Sequence, residues 1–134
     1  MTPEEFLERY ETGEKDFTQA DLSQLDLRQF DLSDVDLAGA NLSQANLSGM
    51  ALGSTNLSRA NLSQANLQAA NLSGCILTGA NLNQANLQEA DLSWANLMGA
   101  NLSQANLLQA NLNMAIIIRA RLRGATMPDG SVSK

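Results

Sequence analysis

Histidine is absent from this chain, and cysteine occurs once, as Cys75. Without histidine, none of the many serines has the usual base beside it for activation as a nucleophile. With a single cysteine no disulfide can close within the chain, and nothing points to an oxidising compartment. Only five of the 134 residues are aromatic. No stretch approaches the ~18 apolar residues of a membrane span. The first residues, MTPEEFLERYETGEKDF, are acidic and lack the apolar run of a secretory signal. These absences lead to the expectation of a cytoplasmic protein.

Positive charge is scarce in the middle of the chain. Residues 37–115 carry Arg59 against Glu89 and Asp91, a net −1. Residues 1–36 carry eleven acids against Arg9, Lys15 and Arg28, a net −8. Residues 116–134 carry Asp129 against Arg119, Arg121, Arg123 and Lys134, a net +3. So small a basic cluster argues against nucleic-acid binding, which needs many phosphate contacts.

What is present is repetition. From Phe17 to Met127 every fifth residue is apolar, and 20 of these 23 positions are Leu. Two residues before each such position lies Ala in 16 units, and the residue between is Asn or Asp in 18. The two residues after it are mostly Ser, Gln and Gly. No insertion or deletion breaks the A-(N/D)-L-x-x unit.

An α-helix cannot use this spacing, because a step of five residues advances 500° and spreads the leucines around the whole helix. An extended segment can: Ala and Leu point to one face and Asn to the other. The last two residues must then turn the chain, so five residues make one side of a coil. A second period fixes the number of sides. NLSQANL occurs at 41–47, 61–67 and 101–107, and Gln24, Gln44, Gln64, Gln84 and Gln104 recur every 20 residues. Four units per turn give a square tower of roughly six coils, about 28 Å long at a strand spacing of ~4.8 Å.

This pattern resembles the pentapeptide-repeat family over residues 16–127. The resemblance implies an all-β, right-handed quadrilateral solenoid. It also implies a bacterial protein, since the family is especially abundant in cyanobacteria, and most members have no assigned role. Leu should fill the axis, with small Ala where the four sides converge. The large residues at the Ala position (Leu25, Phe30, Val35, then Met50 and Thr55) should mark the widest part of the tower. The Asn side chains are expected to support tight turns and to bond the Asn one coil away. The Gln column should form a similar outer ladder.

Three segments follow: a capping helix within 1–14, the solenoid over 15–127 and a tail over 128–134. Thr2-Pro3-Glu4-Glu5 reads as a helix start, with Thr at the N-cap and Pro at the first helical position. Phe6, Leu7 and Tyr10 should form the face that covers the first coil, and Gly13 suits the helix stop.

Candidate chemistry is thin. Cys75 occupies a core position. Asp21, Asp26, Asp31 and Asp36 ring the first coil, but side chains on four different faces cannot converge on one cation. The glycines at 39, 49, 74, 79, 99 and 124 all hold the same turn position. The expected function is therefore a non-catalytic protein-interaction or structural scaffold. It needs no cofactor or metal, binds no small-molecule substrate and no membrane, and has a protein partner that the sequence does not name. The alternative comes from the resemblance: some quinolone-resistance members are dimeric towers whose acidic surface imitates duplex DNA and inhibits a type II topoisomerase. The near-neutral middle of this chain departs from that requirement.

One departure from the polar outer rule is local. Trp94 and Met114 share a corner on successive coils. Ile76 and Ile116 share one column of the following side, and Met98 and Ile118 share another. Contiguous exposed apolar residues usually mark interfaces. A homodimer through Trp94, Met98, Met114, Ile116 and Ile118 is expected, in keeping with family members that associate near their C-terminal ends. The competing expectation is that the tail folds over this patch.

Overall fold

A computed structural model describes residues 1–134: one helix, α1 (Pro3–Glu11), followed by a right-handed quadrilateral β-helix. Its sides are too short for continuous strands. Instead, residues 20 apart pair as single parallel bridges, such as Asn41 with Asn61 and Asn61 with Asn81. We number the sides by their axial residues. The first wall carries Phe17, Leu37, Leu57, Leu77, Leu97 and Ile117. The second runs from Leu22 to Leu122, the third from Leu27 to Met127 and the fourth from Leu32 to Leu112.

Each unit satisfies its backbone by one scheme. In the unit of Leu62, the Leu62 N–H donates to the Asn81 carbonyl at 2.7 Å and the Gln64 N–H to the Asn83 carbonyl at 2.9 Å, both one coil later. The Asn61 N–H donates to the Ala40 carbonyl at 2.9 Å, one coil earlier. The Ala65 N–H closes the corner on the Leu62 carbonyl at 3.0 Å. The third residue of most corners has φ near +60°, the signature of a type II turn. Glycine takes this conformation freely, yet fourteen non-glycine residues, Gln64 and Trp94 among them, also adopt it. The ladder above and below imposes the corner at a local cost of roughly 1–2 kcal/mol per residue.

The axial leucines from Leu22 to Leu107 are essentially inaccessible, and so are the alanines two residues before them, from Ala40 to Ala105. Burying one Leu is worth roughly 1.5–3 kcal/mol. The stack is thus a one-dimensional column in which each coil is held by its two neighbours.

Two regions break the regularity. Around Leu25, Phe30 and Val35 the ladder opens: Asp31 makes no bridge to Ala51, nor Asp36 to Asn56, and the corners at Gln29 and Asp34 lack positive φ. The Phe30 ring packs toward α1, with its centroid 4.9 Å from Phe6 and 5.1 Å from Tyr10. At the other end the chain reverses at Gly130 (φ +88°) and returns along the third wall. There Val132 pairs antiparallel with Thr126, and the Ser133 N–H reaches the Ala125 carbonyl at 2.8 Å. No helix is long and apolar enough to cross a membrane.

Helix α1 is stopped at both ends by the residues that the chain supplies for it. The Thr2 hydroxyl accepts from the Glu5 N–H at 3.1 Å. After the C-cap Thr12, Gly13 takes φ +85°, and the Gly13 and Glu14 N–H groups return to the Tyr10 and Arg9 carbonyls, a Schellman closure. Arg9 bonds Glu14 through Nε at 2.7 Å and lies over the Phe17 ring at 4.8 Å. The helix is thereby pinned across the mouth of the first coil.

The contacts of the cap differ from the sequence expectation at one position. Phe6 is buried and Tyr10 half-buried, but Leu7 remains 41% exposed. It lies about 100° round the helix from Phe6, and Phe30 from the first coil fills the space between Phe6 and Tyr10. Of the two outer ladders expected, the Gln column forms and the Asn column does not. Gln44, Gln64, Gln84 and Gln104 bond in sequence at 2.8–2.9 Å. The side chains of the Asn column do not bond one another from coil to coil. Each turns its Oδ1 onto its own corner, as Asn61 does to the Ser63 N–H at 3.1 Å and hydroxyl at 2.7 Å. A donor two residues away is nearer than an amide one coil away.

Candidate functional site

The side chains best suited to chemistry are spent on structure. Cys75 is fully buried, its thiol donates to the Leu52 carbonyl at 2.8 Å, and burial pushes its pKa up to about 12. A thiol so held is a core residue, not a nucleophile. The aspartates of the first coil each accept from their own corner: Asp21 from the Ser23 hydroxyl at 2.7 Å and Asp31 from the Ser33 hydroxyl at 2.7 Å. These bonds hold both carboxyls below the usual range. The Arg28 guanidinium bonded to Asp26 brings that group down to about 2. No three carboxylate or thiol groups converge on a point that could hold a metal ion.

The surface feature that stands out lies on the first wall and its corner with the fourth. Trp94 is 67% exposed, Met114 64% and Ile118 60%, and Ile76 and Ile116 are each 42% exposed. Met98 is exposed with them. The backbone stacks these residues directly. Asn96 bridges to both Ile76 and Ile116, so the three occupy one column on consecutive coils. The Gly99 N–H donates to the Ile118 carbonyl at 3.0 Å, which sets Ile118 above Met98. Trp94 and Met114 hold their corner at φ +62° each, which turns both side chains away from the core.

The tail does not cover this patch. It runs on the third wall, opposite the first, and Val132 is itself exposed. The last coil is also open along the axis. Ile117 is exposed, and Leu112 and Leu122 are only half-buried, where their counterparts lower in the tower are sealed. Sequence reasoning singled out the wall residues because Ile and Trp break a polar rule. It missed Ile117, which obeys the axial rule yet is exposed in the last coil.

A hollow of about 310 Å³ lies between α1 and the first coil, lined by Pro3, Phe6, Leu7, Leu25, Leu27 and Phe30 among others. It is a consequence of the opened ladder.

The family model for pentapeptide repeats matches in eight copies, over residues 16–50, 55–93, 65–104 and 90–127. Among solved structures, the pentapeptide repeat protein Rfr23 from the cyanobacterium Cyanothece 51142 is 32% identical. That match covers 90% of this chain and 95% of its own, with a TM-score of 0.78. The pentapeptide repeat protein alr5209 from Nostoc Pcc 7120 is 34% identical over 92% of this chain and 78% of its own, with a TM-score of 0.43. Trypsin-treated QnrB1, a plasmid-mediated fluoroquinolone resistance protein, is 22% identical over 84% of this chain and 57% of its own, with a TM-score of 0.37. No curated protein matches the chain.

Proposed function

The chain belongs to the pentapeptide-repeat family, and on that footing we propose that it is a non-catalytic interaction scaffold that pairs with a second copy through the apolar part of its first wall. The observation that carries this reading is the contiguous exposure of Trp94, Met98, Met114, Ile116 and Ile118 on a wall whose other outward residues, Ile76 apart, are polar or small. Leaving such a patch in water forgoes the stabilisation that burial brings, roughly 25 cal/mol per Å². Patches of this kind on small proteins mark contact sites, and Trp and Met are enriched in the cores of interfaces. A symmetric pair is the commonest way to bury such a surface.

Imitation of DNA toward a type II topoisomerase is the weaker reading, because the walls over residues 37–115 carry a net charge of only −1 while duplex DNA carries one charge per ~1.7 Å. The test is sedimentation of the wild type beside the double variant Met98→Asp/Ile118→Asp. The wild type is expected to dimerise and the variant to remain a folded monomer. A wild type that stays monomeric at millimolar concentration would overturn the homodimer.

A further inference from the structure

The column through Ile76, Asn96 and Ile116 reads the same in both directions. These are consecutive coils of the first wall, bridged Ile76 to Asn96 and Asn96 to Ile116. Apart from Ala51 on another wall, the only other units without Asn or Asp at this position are the last two of the tower, at Arg121 and Thr126. The two isoleucines also have equal exposure, 42%. A two-fold interface requires a surface that matches itself when reversed, and this column does.

Resting on the homodimer reading, we infer that the second copy packs antiparallel and staggered. Its two-fold axis crosses the first wall at the level of Asn96, so Ile76 of each protomer meets Ile116 of the partner subunit. Three further observations fit this geometry. The first is steric. Reversal about Asn96 sets Met114 opposite Gly74 on the shared corner and Ile118 opposite Thr78, a large residue against a smaller one in both cases.

The second is polar. The Asn96 Oδ1 accepts from the Met98 N–H at 3.1 Å, while its amide nitrogen has no partner in the chain. On the axis that nitrogen faces its own symmetry mate, whose Oδ1 has a second lone pair. A single Asn pair at the centre of an apolar seam fixes register.

The third is electrostatic and concerns size. The arrangement sends the two N-terminal regions, each with a net charge of −8, to opposite ends. A parallel pair would bring them side by side. The chain exposes 6758 Å². Over four walls and two ends one wall carries roughly 1,100 Å², so half a wall from each protomer buries roughly 1,100 Å² in total, just above the ~1,000 Å² of a specific interface.

The test uses two single variants, Ile76→Lys and Ile116→Asp, each on an exposed position and each checked for fold by circular dichroism. Sedimentation equilibrium of either alone should show dimerisation weakened at least about tenfold from wild type. An equimolar mixture should recover a one-to-one heterodimer. Across the axis, the lysine introduced in one variant then meets the aspartate introduced in the other, and the second contact keeps Ile76 against Ile116. A wild type that dimerises while the mixture is no tighter than the single variants would overturn this geometry and leave the homodimer standing. A monomeric wild type would overturn both.

Discussion

At the N-terminal end the axis of the tower is closed by Phe6, which packs on Phe17 at 5.2 Å and Phe30 at 4.9 Å between ring centroids. At the C-terminal end the corresponding axial residue of the first wall is Ile117, and it is 43% exposed. The first end is sealed by a helix, acidic and anchored by Arg9. The second leaves Ile117 uncovered on the axis and is continuous with the exposed apolar wall below it, with Arg119, Arg121 and Arg123 exposed around it. An open coil offers unpaired backbone and an apolar axis, and unprotected edges of this kind invite association. Here one end is covered by the helix, and the apolar surface is concentrated at the other.

The largest expected effect tests whether burial along the axis differs as sharply as this contrast requires. Leu67 is fully buried at mid-tower, and Ile117 occupies the equivalent position at the open end. Leu67→Asp should unfold the protein or split its cooperativity. The buried carboxylate has no partner, and a cost of several kcal/mol is a large share of a typical stability. Ile117→Asp should lower the melting temperature only slightly, and Gln64→Ala on the outer wall should do less still. Equal melting temperatures for Leu67→Asp and Gln64→Ala would invert the inside and the outside of the tower.

The next effect concerns the seal itself. Removal of residues 1–13 should cause aggregation or end-to-end association, visible in light scattering, because it exposes the first coil while leaving the second end as open as before. The milder Phe6→Ala should destabilise by about 3 kcal/mol, within the range for a buried Phe, measured by urea denaturation. A truncated protein as stable and as monomeric as the full chain would mean that α1 is no cap.

The smallest effect is the pH dependence of the first coils. The carboxyls of Asp16, Asp21, Asp26 and Asp31 in the first coils have lowered pKa values, Asp26 at about 2. A carboxyl with a lowered folded-state pKa stabilises the fold above its unfolded value. That contribution disappears as pH falls through the folded value, here between about pH 4 and pH 2. Melting temperature should fall over that window, and Asp26→Asn should make the fall shallower. These groups are exposed, so the change is modest. Identical pH profiles for wild type and Asp26→Asn would show that the Asp26–Arg28 pair contributes nothing.

The repetitive part of the molecule was legible because each residue meets copies of itself. Leu62 lies between Leu42 and Leu82, and Gln64 between Gln44 and Gln84, so period and partner are the same information. The apolar wall was legible for the same reason, since Trp94 and Met114 fall together once the chain is wound at 20 residues per turn. The error in the ladders lies where a short contact competes with a periodic one: the Asn61 side chain bonds its own corner instead of Asn81.

The periods of five and twenty therefore determined the four-sided tower, its inward leucines and the column of exposed isoleucines. The tertiary structure alone decided that Phe30, not Leu7, completes the cap, that the tail returns along the third wall, and that Ile117 stands uncovered. The reason is physical. Periodic positions have nearest-neighbour contacts that repeat from coil to coil. The two ends have contacts that occur once, and their partners are chosen by where the chain happens to reach in space.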